Sequence, residues 1–347
     1  MNNNKLLVFP LIIVIIGVAT HLMQGRLFAL FNHSDTHFTT GISAGDFPKT
    51  LTDVTGISHT LAQPPKRIIS ATLATDHILS ALVSQERIVG VSRYVDYPSL
   101  SNIVDFYAPS IQRTKTEIES ILSLQPDLVF VASYSAPEAV RYLLRSDIAV
   151  VRLSEFKSFD DIINNIRLIA DITDSKAKGQ EVIDDLQNRI QYLKAQVEPY
   201  KKPRVLYYDL NGFSVGGNSL MNEAIKISGG INVTENILPD GEHKISEELA
   251  ISLQPDIIVM SQWIFNETQH QQSPVDILKN KTAWANVPAI KNDKIFAVPG
   301  TWLRTVSQFR IKGVEAIAAM LHPEIPAYHI APQINQHQPS HGVIDVQ

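Results

Sequence analysis

Short apolar runs of strand length alternate along the chain with segments whose apolar positions recur at helical spacing, such as Asp76–Val83 and Pro137–Arg145. Strands that alternate with helices in this way are typical of α/β proteins with parallel sheets. Seven strands are predicted, and in chain order they are Arg67–Ser70, Ile88–Ser92, Leu128–Ala132, Ala149–Leu153, Arg204–Asp209, Ile257–Ser261 and Ile295–Val298.

One helix–loop–strand segment occurs twice. Glu119–Val131 reads ESILSLQPDLVFV, and Glu248–Met260, 129 residues later, reads ELAISLQPDIIVM. A proline disfavours the helical region for the residue before it, so each helix is predicted to end at Gln125 or Gln254 and to lead into a buried strand. The repetition predicts two similar lobes, and a cleft between two lobes is a common place for a ligand.

The stretch between the two halves has helical periodicity throughout. One apolar stripe covers residues 159–169, a turn is predicted near Thr173, and a second stripe covers residues 177–197. A helix over residues 174–197 is roughly 36 Å long at a rise of 1.5 Å per residue. A single long helix is a stiff connection, so we expect small movements of the lobes rather than wide opening.

These patterns predict an α/β protein of two lobes joined by a long helix. The predicted segments are a signal peptide or membrane anchor over 1–23, a tether and N-terminal extended segment over 24–66, an N-terminal α/β lobe over 67–157, a helical linker over 158–198, a C-terminal α/β lobe over 199–322, and a flexible tail over 323–347.

The first residues have the features of an export signal. Lys5 is followed by fifteen uncharged residues, Leu6–Thr20. A positive start before an apolar core is typical of a signal peptide, whereas a membrane span needs roughly 20 apolar residues. A cleaved signal and an anchor formed by residues 6–23 both stay open. Either one predicts a folded part in the periplasm or on the external face of the cytoplasmic membrane.

Composition narrows the function classes. The chain has no cysteine, which excludes disulfides, thiol nucleophiles and a lipid-anchored lipoprotein. The net charge of −5 provides no basic field for nucleic acid. The turn Ser70–Ala74 after the first strand has no glycine, so a dinucleotide-binding loop is absent there and a Rossmann-type enzyme is the disfavoured alternative. The tail histidines His329, His337 and His341 could bind metal, but a solvated tail is the preferred interpretation.

Candidate ligand-binding residues follow the strands. In open parallel sheets, ligands bind beyond the carboxyl ends of the strands. An aromatic residue lies two to four positions beyond five of the predicted strands: Tyr94, Tyr134, Phe213, Trp263 and Trp302. Two arginines, Arg113 and Arg304, would each offer a fixed fork of donors to anionic oxygens.

Two acidic residues, Glu119 and Glu248, occupy matching places near the starts of the two repeated helices. The helix dipole favours a carboxylate at such a place, which is sufficient to explain either residue alone. Together they also place one acidic group on each lobe, where a partner with matching arginines could contact both.

Several segments of the chain carry a family resemblance. The strings PPKRIISATLATDHILSAL, RIVGVSRYVDYP, EIESILSLQPDLVFV and RVLYYD, with the long helix, resemble the periplasmic binding proteins of iron-siderophore, haem and cobalamin importers. The resemblance extends from about Phe47 to Pro323. It implies two Rossmann-like lobes joined by a long α-helix, a ligand between them, a monomer, and neither a catalytic step nor a cofactor.

The resemblance also implies roles for the acidic pair and one tyrosine. In the family, one glutamate of each lobe contacts arginines of the membrane permease that works with the ATPase, and Glu119 and Glu248 match those positions. In the cobalamin binder an aromatic residue after GVS contacts the ligand, and Tyr94 matches it.

Three further residues match the ferric hydroxamate binder. In that protein an arginine six residues before the permease-contacting glutamate, followed by threonine, contacts the iron-bound hydroxamates, as Arg113 and Thr114 would here. Tyr134 matches its ligand-contacting tyrosine. The sequence departs from the family over residues 114–118, where a Pro-Asn loop is usual.

The ligand that these residues imply is an iron chelate, namely an Fe(III)–siderophore complex of hydroxamate type. Arginine donates charge-assisted hydrogen bonds to metal-bound oxygens, and tyrosine adds a hydroxyl and a flat wall. Haem or cobalamin is the alternative, with Tyr94, Tyr134 or His77 as an axial ligand. Capture of free zinc or manganese is disfavoured, because no set of histidines and carboxylates follows the strands and no metal site of the protein's own is expected.

Overall fold

The computed structural model describes residues 41–52, 56–114, 118–146, 148–153, 155–262 and 273–325. The predicted signal or anchor, Trp263 and the tail histidines lie outside these residues. Across the described ranges, the helices lack the combination of length and apolar character that crossing a membrane requires.

The first described residues, from Gly41 onwards, form a small sheet. Strands β1 (Gly41–Ile42), β2 (Lys49–Thr52) and β3 (Ser58–Leu61) form a three-stranded antiparallel sheet. These strands lie within the segment predicted as a tether and N-terminal extended segment over residues 24–66. Two buried groups attach the small sheet to the rest of the chain. Leu51 lies in the core, and the buried Lys49 ammonium donates to Asp171 at 2.6 Å.

The N-terminal lobe is a parallel five-stranded sheet with strand order β6-β5-β4-β7-β8. All five residues of β7 are buried, as expected for a strand covered on both faces. The elements in chain order are β4 Ile68–Ser70, α1 Leu73–Leu82, β5 Ile88–Ser92, β6 Gln112–Thr114, α2 Ile118–Ser123, β7 Leu128–Ala132, α3 Pro137–Leu143 and β8 Ala149–Leu153.

Two helices form the linker. Helix α4 (Phe159–Ile172) begins with a capping box between Ser158 and Asp161, and α5 (Lys176–Val197) has 22 residues. The turn between them includes Asp174 at φ 56°. The predicted long connecting helix is confirmed.

The C-terminal lobe contains a parallel four-stranded sheet with strand order β11-β9-β13-β14 and a two-stranded antiparallel sheet of β10 and β12. Its elements in chain order are β9 Arg204–Tyr207, β10 Phe213–Val215, α6 Leu220–Ile227, β11 Ile231–Asn232, β12 Glu242–Lys244, α7 Glu247–Ser252, β13 Ile257–Gln262, α8 Pro274–Lys279, α9 Pro288–Lys291, β14 Ile295–Pro299, α10 Gly300–Leu303 and α11 Ile311–Leu321.

The repeated segment forms the same corner in both lobes. The glutamine before each proline has φ 46°, in the left-handed region, so the helix ends there. The aspartate after each proline accepts a hydrogen bond from the backbone N–H of the residue that leads into or begins the neighbouring strand: Asp127 from Arg67 at 3.0 Å and Asp256 from Arg204 at 2.9 Å. The predicted α/β fold of two Rossmann-like lobes joined by a long helix is confirmed.

Candidate functional site

A cavity of about 190 Å³ lies between the two lobes, beyond the carboxyl ends of their strands. Its N-terminal wall includes residues that follow β4 and β7, and its C-terminal wall includes residues that follow β14. The residues that carry its chemistry are Leu73, His77 and Tyr134 on one side and Gly300, Arg304 and Thr305 on the other.

The wall of the N-terminal lobe starts at the first turn of α1. The Thr72 hydroxyl caps this helix by accepting from the N–H of Thr75, which places Leu73 directly at the cavity. Tyr134, two residues after β7, is 59 % exposed, and its ring packs 5.4 Å from that of Phe156. An ordinary phenol is neutral at pH 7, so the Tyr134 hydroxyl can donate a hydrogen bond.

The wall of the C-terminal lobe forms where β14 runs directly into α10. A Cβ atom at Gly300 would lie 3.0 Å from the carbonyl oxygen of Gln262, so this close approach of two backbone segments favours glycine. Arg304 follows at the end of α10, with its guanidinium 3.6 Å from the Glu242 carboxylate. The arginine side chain is about one-third exposed and reaches the cavity.

His77 lies at the base of the cavity and is almost fully buried. Its Nε2 accepts from the backbone N–H of Asn102 at 3.2 Å, which leaves the proton on Nδ1, directed to the hydroxyls of Thr305 and Ser307, each at 3.2 Å. Burial, assisted by the charge of Lys312, lowers the pKa of His77 to about 3. Because both ring nitrogens are engaged in hydrogen bonds, His77 has no available lone pair for the role of axial ligand.

A second buried titratable group, Asp76, precedes His77 on α1. Its carboxyl group accepts from the backbone N–H of Ser92 at 3.2 Å. Burial is the largest effect and raises the pKa of Asp76 to about 8, despite opposing hydrogen bonds to Ser70 and Ser92. The group is therefore mainly protonated at neutral pH.

Among the described residues that line the cavity, Arg304 carries the charge and none is a carboxylate.

Arg113 is occupied within its own lobe. Its Nε and one Nη2 hydrogen pair with the Asp96 carboxylate at 2.7 and 2.9 Å. The remaining hydrogens donate to the carbonyls of Tyr107, Ala108 and Ile111 at 2.7–2.9 Å. A guanidinium has five N–H groups, and these five bonds use all of them. A direct bond from Arg113 to a ligand would require one of these bonds to be exchanged.

The remaining predicted ligand residues are distributed around the cleft rather than gathered in it. Thr114 is buried, and its hydroxyl donates to the carbonyl of Val91 at 3.0 Å. Tyr94 is 41 % exposed in the turn after β5, with the guanidinium of Arg93 over its ring at 5.0 Å. Phe213 and Trp302 are half-buried, and Trp302 packs against the core. Of the predicted set, the described cavity brings together Tyr134 and Arg304.

Several residues of the cavity wall were not predicted, including the apolar Leu73, Leu100 and Val306. Their sequence signal was the same as that of the aromatic candidates, because Leu73 follows β4 and the other two lie in loops beyond β5 and β14. A prediction from aromatic residues and arginines alone does not include such aliphatic side chains.

The predicted acidic pair is exposed in the first turns of two short helices, Glu119 in α2 and Glu248 in α7. The neighbouring Glu247 differs, because its carboxylate accepts hydrogen bonds from Lys281 and Trp284 within the lobe. Within the described ranges, no group of three or more histidines and carboxylates is arranged to hold a metal ion.

A larger groove of about 510 Å³ lies along the linker, between β1 and helices α4 and α5. Ile42, Asp171 and Gln180 are among its lining residues. None of the described residues that line the groove follows a strand of either lobe's parallel sheet. Because ligands of such sheets bind beyond the carboxyl ends of the strands, the interlobe cavity is the better candidate for the ligand site despite its smaller volume.

Comparisons with known proteins agree with this architecture. The chain is 26% identical over 265 residues to a vitamin B12-binding protein of Vibrio cholerae, a match that covers 74% of this chain and 90% of the relative. It is 21% identical over 287 residues to a Bacillus subtilis protein named as the uncharacterized ABC transporter substrate-binding lipoprotein YvrC, covering 80% of this chain and 87% of the relative.

A solved structure has the same fold. The crystal structure of an ABC-type Fe3+-hydroxamate transport system from Saccharomonospora viridis superposes with a TM-score of 0.60 at 19% identity, covering 79% of this chain and 99% of that chain. The sequence profile of one family, described as periplasmic binding protein, matches residues 68–301. Because that match spans most of both lobes and the linker, the chain belongs to the periplasmic binding protein family.

Proposed function

We propose that this protein is the substrate-binding component of an ABC importer, and that it captures a ferric siderophore between its lobes for delivery to a membrane permease. The proposal is supported by family membership together with one observation: Tyr134 and Arg304 face the same interlobe cavity from opposite lobes. No catalytic step is part of this function.

The chemistry of the walls fits a chelated rather than a free metal. Arg304 supplies a cation for the negatively polarised oxygens around the iron, and the neutral phenol of Tyr134 supplies a donor and a flat surface. Leu73, Leu100 and Val306 offer apolar surface to the organic rim of a siderophore. A free divalent cation would instead need several carboxylate or imidazole ligands. The described part of the wall presents one imidazole, that of His77, and both of its nitrogens already bond within the protein.

The size of the cavity limits how the ligand is held. At about 190 Å³, it is smaller than the roughly 300–1,000 Å³ that small-molecule pockets usually occupy. A siderophore complex would therefore extend beyond the described cavity or displace the lobes slightly. Tyr94, after β5, lies at the same edge of the sheet as Tyr134, where an extended ligand could reach it.

The hydroxamate assignment rests on fewer contacts than the sequence implied. Because Arg113 uses its donors within the lobe and Thr114 is buried, we assign the main polar contacts with the ligand to Arg304 and Tyr134. Direct ligand contacts by Arg113, Thr114, Phe213, Trp263 and Trp302 stay predictions from the sequence.

Cobalamin is the second candidate, because a relative that matches most of this chain is named as a vitamin B12-binding protein. Both ligands are bulky metal chelates, so a binding experiment must separate them. The purified protein would be titrated with a ferric hydroxamate siderophore, cyanocobalamin, haem and Mn²⁺, with calorimetry as the readout. We expect saturable binding of the ferric siderophore, whereas binding of cobalamin alone would assign the second function and binding of none would contradict both.

The proposed location and partners follow from the same function. Capture before import requires the folded part to lie outside the cytoplasmic membrane, in the periplasm or on the external face. We propose that Glu119 and Glu248, one on each lobe, contact the permease, which works with an ATPase.

A further inference from the structure

A cluster of polar side chains joins the two lobes directly beneath the cavity. We call the five residues His77, Asn102, Thr305, Ser307 and Gln308 the interlobe latch. The His77 ring bonds to the Thr305 and Ser307 hydroxyls, and the Gln308 side chain donates to the carbonyl of His77 at 2.6 Å. On the other side, the Asn102 amide donates across the cleft to the carbonyl of Thr301 at 2.7 Å.

The bonds from the His77 ring to Thr305 and Ser307 are buried, so they cannot be exchanged for water without opening the contact. His77 is 1 % exposed and Ser307 0 % exposed. The edge-to-face packing of the His77 ring on Phe309, with centroids 5.2 Å apart, fixes the ring further. A small displacement of the lobes would leave several buried polar groups without partners, and such groups carry the full penalty of desolvation.

The latch is also part of the ligand site. His77 and Thr305 border the cavity and bond to each other, so the contact that joins the lobes lies next to the space that a ligand would occupy. The linker helices join the lobes at a second place along the chain. Two separate connections resist rotation of the lobes better than one, because rotation about either connection breaks the other.

We propose that His77 is a positioning residue that sets the separation of the two lobes, and thereby the width of the cleft and the spacing of Glu119 and Glu248. Its Nδ1–H holds the Thr305–Gln308 loop, while its Nε2 is held by the backbone of Asn102. The consequence for ligand capture and permease contact rests on the proposed function. The consequence for lobe separation does not.

The absence of cysteine makes this separation directly measurable. Spin labels on Glu119→Cys and Glu248→Cys report the distance between the two acidic positions by pulsed electron paramagnetic resonance in the ligand-free protein. We expect His77→Ala to broaden the distance distribution by about twofold, because the lobes then sample several separations. Ser80→Ala is the matched control, since Ser80 lies one turn along α1 and bonds within that helix to the His77 carbonyl.

A second set of variants protects the test against misfolding of His77→Ala. Thr305→Val and Ser307→Ala remove the hydroxyl partners from the opposite lobe with little change of volume, and we expect the pair to broaden the distribution as His77→Ala does. Adding His77→Ala to this pair should broaden the distribution by less than His77→Ala does alone, because the bonds from Nδ1 to the two hydroxyls are already lost. His77→Gln, which keeps a side-chain N–H donor, should restore part of the narrow distribution.

One result would overturn the proposal. The variant with both Thr305→Val and Ser307→Ala would be folded by circular dichroism, and its distance distribution would be as narrow as that of the labelled protein without these two changes. This measurement uses no ligand. Failure to bind a siderophore would therefore contradict the proposed function but would leave the proposal about lobe separation unaffected.

Discussion

The Arg189 guanidinium of α5 and the Glu315 carboxylate of α11 form a two-bond ion pair, with Nε–Oε1 and Nη2–Oε2 distances of 2.7 Å. Arg189 is 5 % exposed, so the pair joins the linker to the last described helix in a nearly dry environment. Burial is the largest effect on Glu315 and raises its pKa despite the neighbouring arginine. The loss of hydration therefore offsets much of the attraction, and the pair mainly fixes how the linker docks.

The first prediction concerns this pair. Arg189→Met should lower the free energy of unfolding by about 3–5 kcal/mol, because Glu315 would keep a buried carboxylate without its partner. The double variant Arg189→Met with Glu315→Leu should recover most of that loss. Urea denaturation of the single and double variants measures both values, and additive losses in the double variant would show that the two residues do not act as a pair.

The second prediction separates the two arginines near the cleft. Arg113→Ala should lower the free energy of unfolding by about 2–3 kcal/mol, because it removes a carboxylate partner and three carbonyl partners within the lobe. Its effect on ligand affinity should be smaller than that of Arg304→Ala. Calorimetric titration and urea denaturation of both variants test this. A large loss of affinity in a fully stable Arg113→Ala protein would restore Arg113 as a ligand contact.

The third prediction concerns the ligand contacts at Arg304. Arg304→Ala should weaken binding of a ferric siderophore by about 10- to 100-fold, because a charge-assisted hydrogen bond contributes about 1.5–3 kcal/mol. Arg304→Lys should recover part of the affinity, since the charge is kept but the fork of donors is lost. Equal affinity of all three proteins, measured by calorimetry, would remove Arg304 from the site.

The fourth prediction is a pH dependence that comes from Asp76. Its pKa is raised from 3.8 to about 8 in the folded protein, so the stability that it contributes is fully present below pH 3.8 and is lost as pH rises towards 8. Relative to Asp76→Asn, the free energy of unfolding should fall by about 1.4 kcal/mol per pH unit across that window. Urea denaturation at several pH values measures the slope, and parallel curves for the two proteins would contradict a buried neutral carboxyl.

The fifth prediction concerns the exposed acidic pair. Glu119→Ala and Glu248→Ala should each reduce ligand uptake by cells while leaving the affinity of the purified protein unchanged, because both side chains lie outside the described cavity. Glu138→Ala, another exposed carboxylate in the first turn of a helix of the N-terminal lobe, is the control. Uptake that falls equally in the control would mean that overall surface charge, rather than these two positions, determines transport.

The repeated corners and the buried strands are features that short stretches of sequence are sufficient to predict. The corner after Gln125 and the corner after Gln254 were predictable because proline restricts the backbone of the residue directly before it. The strands were predictable because a fully buried strand such as β7 must be a continuous apolar run. Neither inference needs to know which distant residue lies opposite.

Arg113 shows the limit of the same reasoning. A guanidinium next to a strand end has the right chemistry for a ligand, but whether its donors are available depends on where Asp96 and three carbonyls lie. Those groups come from a loop whose path is not encoded in any short pattern. The sequence therefore identified the residue type that a ligand site needs but could not show that this side chain is already satisfied.

The sequence by itself determined the two α/β lobes and the long linker, because apolar periodicity and proline act over a few residues. Only the tertiary structure decided which side chains meet. The bond between His77 and Thr305 joins residues 228 positions apart, and the pair of Lys49 and Asp171 joins residues 122 positions apart. Such contacts arise from the packing of whole elements against one another, and local propensity carries no information about that packing.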